Sequence, residues 1–555
     1  MKRWQKLALG SVGLIVALGI FGYVFRTPLL LAFISVYLDV DIAENRPIEW
    51  QQGPSKAAAA PADRPPNIVF ILVDDLGIND LTTFGGGVAG GAVPTPNIDK
   101  LAADGALFTQ AYAGTATCAP SRAMLLTGRY PTRTGFEFTP LVPGMARIVT
   151  TVVGDIRPDL PKPRYDPDVD AEMPPYAEQG LPSSEVTIAE TLKTKGYHTV
   201  HIGKWHLGRT PGFHPNDQGF DESLLMESGL FLPEDHPDVV NAKVEFDAID
   251  RFLWAALKYS TSYNRSERFE PGGYLTDYWT DEAVKVIEAN RNRPFFLYLA
   301  HWGVHNPLQA TRADYEAVGD IKPHRLRVYA AMIRALDRSV EKIMAKLEDE
   351  GLADNTIVVF SSDNGGAGYI GLSEINAPYR GWKATLFEGG IRVPMFVRWP
   401  ARIPAGGVFE TPVSHVDVMP TLASAADAAL PSGVAIDGVD LLPLASGEGV
   451  LSRPDDAIYW QSGDYKSVRA GGWKLQISVD RDTAWLYDLA TDPTEQSNLA
   501  DTRPDKLAEL TALLNRHQAG AREPLYPSAT QISVPVDKSL AETYEEGDFF
   551  VYWPN

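Results

Sequence analysis

Five short runs of apolar residues, separated by longer segments, restrict the fold of this 555-residue chain more than any other feature. The runs cover residues 67–74, 198–202, 294–299, 356–361 and 393–397. None of them alternates apolar with polar residues, so each predicts a strand that is buried on both faces. Residues 184–195 and 280–290 instead show the apolar spacing of helices, with Ser184 and Thr280 or Asp281 as candidate N-caps. The sequence therefore predicts an α/β sandwich around a mostly parallel sheet.

A different pattern begins at about residue 431. Apolar and polar residues alternate at 457–461, 465–469, 473–478 and 485–488, and a helical pattern follows at 503–517. Such alternation is typical of a small antiparallel sheet. We therefore expect a main domain at 67–430, a C-terminal α+β subdomain at 431–522 and a tail at 523–555. The tail ends in several aromatic residues, so it should pack back on the domain.

The first 45 residues form a separate module. Three basic residues, Lys2, Arg3 and Lys6, precede an apolar run at 7–25 that is long enough to cross a bilayer as a helix. A cleaved signal peptide would have a shorter apolar core, whereas a second apolar run follows here at 29–38. We therefore expect an uncleaved transmembrane anchor within 1–45 and a Pro/Ala-rich tether at 46–66. The basic residues put the main domain on the non-cytoplasmic side, which is the periplasm in a Gram-negative bacterium.

The overall charge limits the partners of the chain. It carries 50 Lys and Arg residues against 71 Asp and Glu residues, a formal net charge of −21. This acidity disfavours nucleic acid and an anionic membrane surface as partners. An anionic substrate would need a local cluster of basic side chains.

Oxygen-rich side chains follow two of the predicted strands. Asp74 and Asp75 lie at the end of the first run, and Asp363 and Asn364 precede two glycines after the fourth. Adjacent carboxylates beside an apolar strand repel each other and lose hydration unless a cation neutralises them. Such oxygen donors suit Ca²⁺ or Mg²⁺, although each pair read alone is more typical of a solvated turn.

Cys118 is the only cysteine, so it cannot form an internal disulfide and must serve reactivity or packing. It opens the string C-A-P-S-R, and L-T-G-R follows at 126–129. Together these strings resemble the signature of the type I sulfatases, within the alkaline-phosphatase-like superfamily, and the resemblance covers about residues 66–517. It implies that a formylglycine-generating enzyme, a transient partner, oxidises Cys118 to formylglycine, whose hydrate is the nucleophile.

The resemblance also implies a metal site and two of its neighbours. The implied ligands of a divalent cation, Ca²⁺ or else Mg²⁺, are Asp74, Asp75, Asp363, Asn364 and residue 118. Arg122, within the signature, offsets the negative charge of this group. Asp363 is the expected base for the attacking hydroxyl.

Four further positions complete the expected catalytic set. Lys204 and His206, in the string G-K-W-H-L-G, match family residues that hold substrate oxygen and assist the release of sulfate. His305, in V-H-N-P, and Lys383, in R-G-W-K, match residues that donate to the leaving-group oxygen. His301 lies four residues before His305 and offers a rival metal pair, but only His305 matches the family pattern.

The resemblance implies hydrolysis of an organic sulfate ester, of a small molecule or of a carbohydrate. Two alternatives stay open at this point. One is a phosphonate monoester or phosphodiester hydrolase of the same superfamily, and the other is a non-enzymatic membrane-tethered binding protein. The proline-rich stretch 140–182 and the aromatic-rich segment 246–274 match no pattern, and we expect them to surround the cleft and select the substrate.

Overall fold

The computed structural model of the protein describes residues 26–37 and 40–555. The apolar run at 7–25, predicted to anchor the chain in a membrane, therefore lies outside the described residues. Within the described ranges, no helix combines the length and the apolar character that crossing a bilayer requires.

The strands are short, as expected for a large α/β protein. In chain order they are β1 (Asn67–Val73), β2 (Ala106–Phe108), β3 (Ala111–Tyr112), β4 (Arg164–Tyr165), β5 (His198–Gly203), β6 (Glu222–Gly229), β7 (Val239–Ala242), β8 (Tyr259–Tyr263), β9 (Phe295–Ala300), β10 (Leu308–Thr311), β11 (Thr356–Ser362), β12 (Met395–Arg398), β13 (Gly407–Phe409), β14 (Val413–Ser414), β15 (Ala457–Ser462), β16 (Tyr465–Ala470), β17 (Trp473–Ser478), β18 (Thr483–Asp488), β19 (Thr530–Pro535) and β20 (Phe550–Pro554).

The helices connect these strands and cover the sheets. In chain order they are α1 (Arg26–Tyr37), α2 (Pro96–Ala103), α3 (Cys118–Thr127), α4 (Pro131–Thr134), α5 (Met145–Ile156), α6 (Pro167–Glu172), α7 (Ile188–Lys193), α8 (Ala248–Ala256), α9 (Leu275–Asn290), α10 (Arg312–Ala317), α11 (His324–Asp349), α12 (Glu388–Ile391), α13 (Val418–Ala425), α14 (Leu442–Ala445) and α15 (Pro504–Gln518).

One large sheet organises the main domain. Its strand order is β13-β2-β12-β11-β1-β9-β5-β6-β8, and the central strands from β11 to β6 are parallel. All five apolar runs of the sequence are strands of this sheet, although β12, from the fifth run, is antiparallel to β11. The predicted α/β architecture with a mostly parallel sheet is therefore confirmed.

Both faces of the sheet are covered, which explains why its central strands are apolar throughout. On β1, Phe70 packs into a cluster that includes α3, α7 and α13, whereas Ile71 packs into a cluster that includes α9 and α11. Every residue of β1, β5, β9 and β11 is buried.

The C-terminal part has its own sheets. Strands β15 to β18 form an antiparallel four-stranded sheet in chain order, as the alternating pattern predicted, and α15 packs Leu510, Leu513 and Leu514 against it. Strand β19 pairs with β20 on one side and with β4 on the other in a three-stranded antiparallel sheet. Trp553, near the end of the chain, is buried there.

The helix starts differ from those read off the sequence. Thr187, not Ser184, caps α7, because its hydroxyl accepts the Glu190 amide proton while Glu190 accepts that of Thr187. Helix α9 begins at Leu275 rather than at Thr280, which lies inside the helix and donates to the Thr276 carbonyl at 2.7 Å. Helix α9 starts before the candidate cap Thr280 because further apolar residues that pack on the sheet extend it toward its N-terminus.

Part of the segment predicted to be a tether packs on the domain. Trp50 is buried, and its indole donates to Glu282 at 2.7 Å. The Gly53 amide donates to the Ala289 carbonyl at 2.8 Å. Residues 54–65 are largely exposed, so the exposed part of the predicted tether begins near residue 54.

Candidate active site

The predicted site residues gather at the carboxyl end of the parallel strands. Asp74 follows β1, Lys204 follows β5, His305 lies five residues beyond β9, and Asp363 follows β11. These four strands are neighbours in the sheet, and their carboxyl ends meet at one edge. Ligand sites of parallel α/β sheets form at this edge.

Cys118 is brought to the same edge by helix α3, of which it is the first residue. Its thiol donates to Asp74 Oδ1 at 3.4 Å and to Asp75 Oδ1 at 3.8 Å. Burial, together with the carboxylates of Asp363 and Asp74, raises the pKa of this thiol well above its usual value. The unmodified side chain is therefore a protonated thiol at neutral pH and a poor nucleophile.

Arg122 lies one helical turn after Cys118 and ties three segments together. Its guanidinium, fully buried, donates to Asp363 Oδ2 at 2.9 Å and to Asp74 Oδ2 at 3.0 Å. A third bond, 2.8 Å long, goes to the Lys204 carbonyl. The planar guanidinium donates to all three acceptors from separate nitrogens, a geometry that the single ammonium group of lysine cannot reproduce.

Two lysines flank the carboxylates. Lys204 Nζ lies 2.6 Å from Asp74 Oδ2, and Lys383 Nζ lies 2.7 Å from Asp75 Oδ1. Both lysines are buried. The buried charges of the cluster balance, since the three carboxylates face three cations: Asp74, Asp75 and Asp363 against Arg122, Lys204 and Lys383.

The two adjacent carboxylates have different electrostatic environments. Burial and the neighbouring Asp363 carboxylate raise the pKa of Asp74 to about 6. Burial acts in the same direction on Asp75, but Lys383 and His305 outweigh it and lower the pKa of Asp75 below its usual value. Asp74 is thus the carboxylate whose charge is least compensated by the side chains around it.

Asp74, Asp75 and Asn364 offer oxygen donors that suit a hard cation, whereas the thiol of Cys118 and the imidazole of His305 in the same cluster are softer donors. Ligand atoms of Asp74, Asp75, Cys118 and His305 all lie within 4.8 Å of one another. Asp363, a predicted ligand, is not a member of this cluster in the described residues. Asn364 donates its amide to Asp75 Oδ1 at 2.8 Å, and its buried Oδ1 has no hydrogen-bond partner among the described residues. A buried amide oxygen without a partner is costly unless it meets a cation.

Asp363 is held by Arg122 and by the backbone of residue 75. Its Oδ2 accepts from Arg122, and its Oδ1 accepts from the Asp75 amide at 3.3 Å. Within the described part of the chain no hydrogen bond joins it to Cys118, whose thiol contacts Asp74 and Asp75 instead. Asp363 as the base therefore stays a prediction from the resemblance, and Asp74, in contact with residue 118, is a second candidate.

His305 has a fixed orientation in the site. Its ring stacks on Trp302 at 4.0 Å between centroids, and its Nδ1 lies 2.6 Å from the Asn306 carbonyl, to which it donates. Nε2 therefore faces Asp75 Oδ2 at 3.5 Å. Burial lowers the pKa of His305 well below its usual value.

His206 lines the same cavity as Cys118 and Lys204. Its buried Nδ1 has no hydrogen-bond partner in the described residues. Burial and the neighbouring Lys204 lower the pKa of His206 well below its usual value. His206 also has a left-handed backbone with φ of 66°, as does Asp75 with φ of 59°. Such strain in non-glycine residues is characteristic of functional sites.

Sequence reasoning missed two aromatic members of the site. Tyr369 is buried, donates to Asp75 Oδ2 at 2.9 Å and accepts from Lys383 at 3.2 Å. Trp302 supports His305, and Lys204 Nζ lies 4.7 Å from the centre of its indole ring. Neither residue carries a charge or a local motif, so only their place in the folded chain identifies them.

Two histidines serve the structure instead. His301 lies 2.9 Å from Ser339 Oγ, and burial lowers its pKa to about 3. It is not part of the cluster around His305, so the rival metal pair does not form. His415 lies within hydrogen-bond distance of Ser121 and Ser361 and links α3 to β11.

Known proteins share this fold and these motifs. The family profile described as Sulfatase matches residues 66–428, and the one described as N-sulphoglucosamine sulphohydrolase, C-terminal, matches residues 380–522. N-acetylgalactosamine-6-sulfatase of Canis lupus familiaris is 35% identical over 425 residues, covering 76% of this chain and 73% of the relative. Steryl-sulfatase of Mus musculus is 32% identical, covering 91% of this chain and 88% of the relative. The crystal structure of Ps i-CgsB in complex with k-i-k-neocarrahexaose has a TM-score of 0.69 at 30% identity, covering 83% of this chain and 95% of that chain.

The fold, together with the buried cluster of three carboxylates and three cations around Cys118, suits a hydrolase of anionic esters. The chain belongs to the type I sulfatase family. It is a sulfuric ester hydrolase, and its reaction cleaves a sulfate ester into an alcohol or phenol and sulfate.

Proposed function

We propose that this sulfatase acts through formylglycine formed from Cys118, as the family resemblance implies. The observation that carries the proposal is the position of Cys118 Sγ, 3.4 Å from Asp74 Oδ1, beside a cluster of buried cations. The formylglycine hydrate supplies a hydroxyl that can attack sulfur and a second one that later expels sulfate. The raised pKa of the unmodified thiol supports modification, because the thiol itself is not activated.

We propose Ca²⁺ or Mg²⁺ as the resident cation, held by Asp74, Asp75, Asp363, Asn364 and residue 118. The unpartnered Asn364 Oδ1 supports an oxygen-donor site, and a bound divalent cation supplies positive charge next to the reacting sulfate group. Since the side-chain charges of the cluster already balance, any bound divalent cation gives the pocket a net positive charge that favours an anionic ester.

The other residues divide the remaining tasks. Lys204 and Lys383 bind the sulfate oxygens, and Arg122 holds Asp74 in position. We propose that Asp74, whose Oδ1 accepts from Cys118 Sγ at 3.4 Å, takes the proton of the attacking hydroxyl in place of Asp363, the base that the resemblance implies.

Two histidines complete the proposed reaction. His305 and Lys383, which both contact Asp75, are the proposed donors to the departing oxygen. Because His305 Nδ1 already donates to the Asn306 carbonyl, its Nε2 must first gain a proton before it can give one. His206 assists the release of sulfate, and its neutral, unpartnered Nδ1 is available to accept a proton.

We further propose that residues 7–25 anchor the enzyme in a membrane, with its catalytic domain on the non-cytoplasmic side. The basic residues before the run and the acidic residues after it support this orientation. Thr27, just behind the run, donates to Asp155 on α5 at 2.8 Å, so the anchor would be coupled closely to the catalytic domain. The full-length protein should resist carbonate extraction from membranes, whereas a chain that begins at Arg26 should be extracted; full-length protein in the supernatant would contradict the anchor.

Turnover of matched small esters tests the proposed function. The enzyme should hydrolyse 4-nitrophenyl sulfate with a higher kcat/KM than 4-nitrophenyl phenylphosphonate or bis(4-nitrophenyl) phosphate. Cys118→Ala should lose several orders of magnitude in kcat, about 10⁶-fold in the best-studied nucleophile deletion. A preference for the phosphorus esters would support the phosphonate hydrolase alternative, and retention of activity within tenfold in Cys118→Ala would refute the formylglycine mechanism.

A further inference from the structure

One large cavity leads away from Cys118. It has a volume of about 430 Å³, within the ~300–1,000 Å³ of pockets that enclose small organic ligands. Its charged end is the catalytic cluster with Lys204 and Lys383. The remaining wall comes from α1, α5, α8 and β19, so the two undecoded segments of the sequence, 140–182 and 246–274, both contribute to it.

The wall is apolar because two helices present matching stripes. Helix α5 contributes its apolar residues at 148, 149, 152 and 153, and α8 contributes those at 248, 249, 252 and 253. In both helices the spacing is i, i+1, i+4 and i+5, which keeps these side chains on one face. Leu31 of α1 and Ile532 of β19 extend the same surface.

These apolar side chains are incompletely buried by the protein itself. Val152, Val153 and Ala248 form a small separate core cluster, whereas Val149, Ile249, Phe252 and Leu253 stay only half-buried. An unfilled apolar surface of this kind is costly in water, and it gains free energy when an apolar ligand covers it. Its continuity with the catalytic cluster points to the substrate as the occupant.

The charged side chains in the wall beyond the catalytic cluster are already paired or cap a helix. Arg157 forms a two-bond pair with Asp159 at 2.9 and 2.7 Å, and Arg209 donates to Glu227 at 3.0 Å. Asp247 caps α8 by accepting from two backbone amides. Among the described residues the wall thus offers no unpaired cation to a second sulfate, and its other polar side chains, such as Thr139 and Tyr176, are uncharged.

We infer that the alcohol part of the substrate is a large apolar group, such as a long alkyl chain or a fused ring system, with a single sulfate at one end. This inference rests on the proposed sulfatase function and names its substrate class. The sulfate would bind at Lys204 and Lys383, and the apolar group would lie between α5 and α8. Helix α1, which contributes Leu31 to the wall, begins directly after the apolar run at 7–25, so in the anchored enzyme this cavity would be close to the bilayer.

A series of alkyl sulfates from butyl to dodecyl, each below its critical micelle concentration, tests the inference. Each added methylene that enters the cavity should raise kcat/KM by about fourfold, the gain that corresponds to burying one methylene group. 4-Nitrophenyl sulfate reports the chemistry independently of the cavity, and galactose 6-sulfate serves as the carbohydrate probe. Dodecyl sulfate should exceed galactose 6-sulfate by at least about 100-fold in kcat/KM.

Substitutions in the cavity wall test whether the rise of kcat/KM with chain length originates there. Leu253→Gln on α8 should lower the ratio of dodecyl to butyl sulfate kcat/KM by roughly tenfold. Val149→Trp on α5, which fills the cavity, should lower the same ratio. The matched control is Leu507→Gln on α15, another half-buried helical leucine, which lies in the C-terminal subdomain and should leave the ratio unchanged.

The outcomes separate this inference from the proposed function. If 4-nitrophenyl sulfate is hydrolysed but kcat/KM does not rise with chain length, or galactose 6-sulfate is preferred, the apolar substrate class is wrong and the sulfatase function stands. If no sulfate ester is hydrolysed by protein that carries formylglycine, both fail. If Leu253→Gln does not fold, the inference is tested by the wild-type dependence of kcat/KM on chain length and by the dodecyl-to-butyl ratio of Val149→Trp.

Discussion

Replacing Arg122 by methionine would test the buried charge cluster on which the catalytic account depends. Methionine has a similar volume and keeps helix propensity, but it leaves Asp74 and Asp363 without their shared cation. Removing one partner of a buried ion pair costs about 3–5 kcal/mol, because the other charge remains in a low-dielectric environment. The lost bond to the Lys204 carbonyl adds about 1–3 kcal/mol.

The assay is the free energy of unfolding, measured by urea titration with excess chelator present. Arg122→Met should lose at least about 3 kcal/mol relative to the wild type. Arg122→Lys keeps the positive charge but lacks the planar guanidinium, so its free energy of unfolding should lie between those of the wild type and Arg122→Met. The control is Arg516→Met, which removes an exposed ion pair 3.2 Å long with Asp455 and should cost at most about 1 kcal/mol.

A divalent cation gives this experiment a second readout. Without Arg122 the remaining side chains of the cluster carry a net negative charge, so Ca²⁺ should bind the variant more tightly and restore more stability than it adds to the wild type. The reasoning is refuted if Arg122→Met and Arg516→Met cost the same, or if Ca²⁺ stabilises the variant less than the wild type.

Further predictions concern a turn, a tyrosine and the cation. Gly365→Ala should inactivate the enzyme, because the new Cβ would lie 2.0 Å from the Gly389 carbonyl oxygen. The control is Gly154→Ala on α5, whose Cβ meets nothing within 4 Å, so it should be neutral or stabilise the fold by up to about 1 kcal/mol. Melting temperature and turnover are measured for both variants. Tyr369→Phe removes a hydrogen bond to Asp75 and should lower kcat/KM by roughly tenfold, and unchanged kinetics would exclude a role for its hydroxyl. Exhaustive chelation should abolish turnover, and Ca²⁺ or Mg²⁺ but not Zn²⁺ should restore it; stoichiometric zinc in the purified enzyme would contradict the oxygen-donor site.

The sequence predicts the sheet well because burial on both faces leaves a clear pattern. The runs at 67–74 and 356–361 became β1 and β11 nearly unchanged, and each ends at the polar residues that gather in the site. Parallel topology then brings those strand ends together, so the position of Asp74 and Asp363 follows from pattern and topology alone.

The rest of the site depends on tertiary contacts between residues far apart in the sequence, which no local pattern encodes. Tyr369 is an uncharged residue in a loop, and its importance comes from its contacts with Asp75 and Lys383. The bond between Asp363 and Arg122 could not be predicted from the sequence, because the two residues are 241 positions apart. The apolar stripe on α5 was not recognised within the proline-rich stretch 140–182, and its use as a cavity wall depends on α8, which lines the same cavity.

The mass of the peptide that contains residue 118, measured beside kcat in the same preparations, tests the central claim most directly. Coexpression with a formylglycine-generating enzyme at different levels should give preparations with different fractions of the aldehyde. The account predicts that kcat for 4-nitrophenyl sulfate rises in proportion to that fraction and extrapolates to zero when residue 118 is entirely cysteine. Full turnover by protein that carries only the unmodified thiol would contradict it.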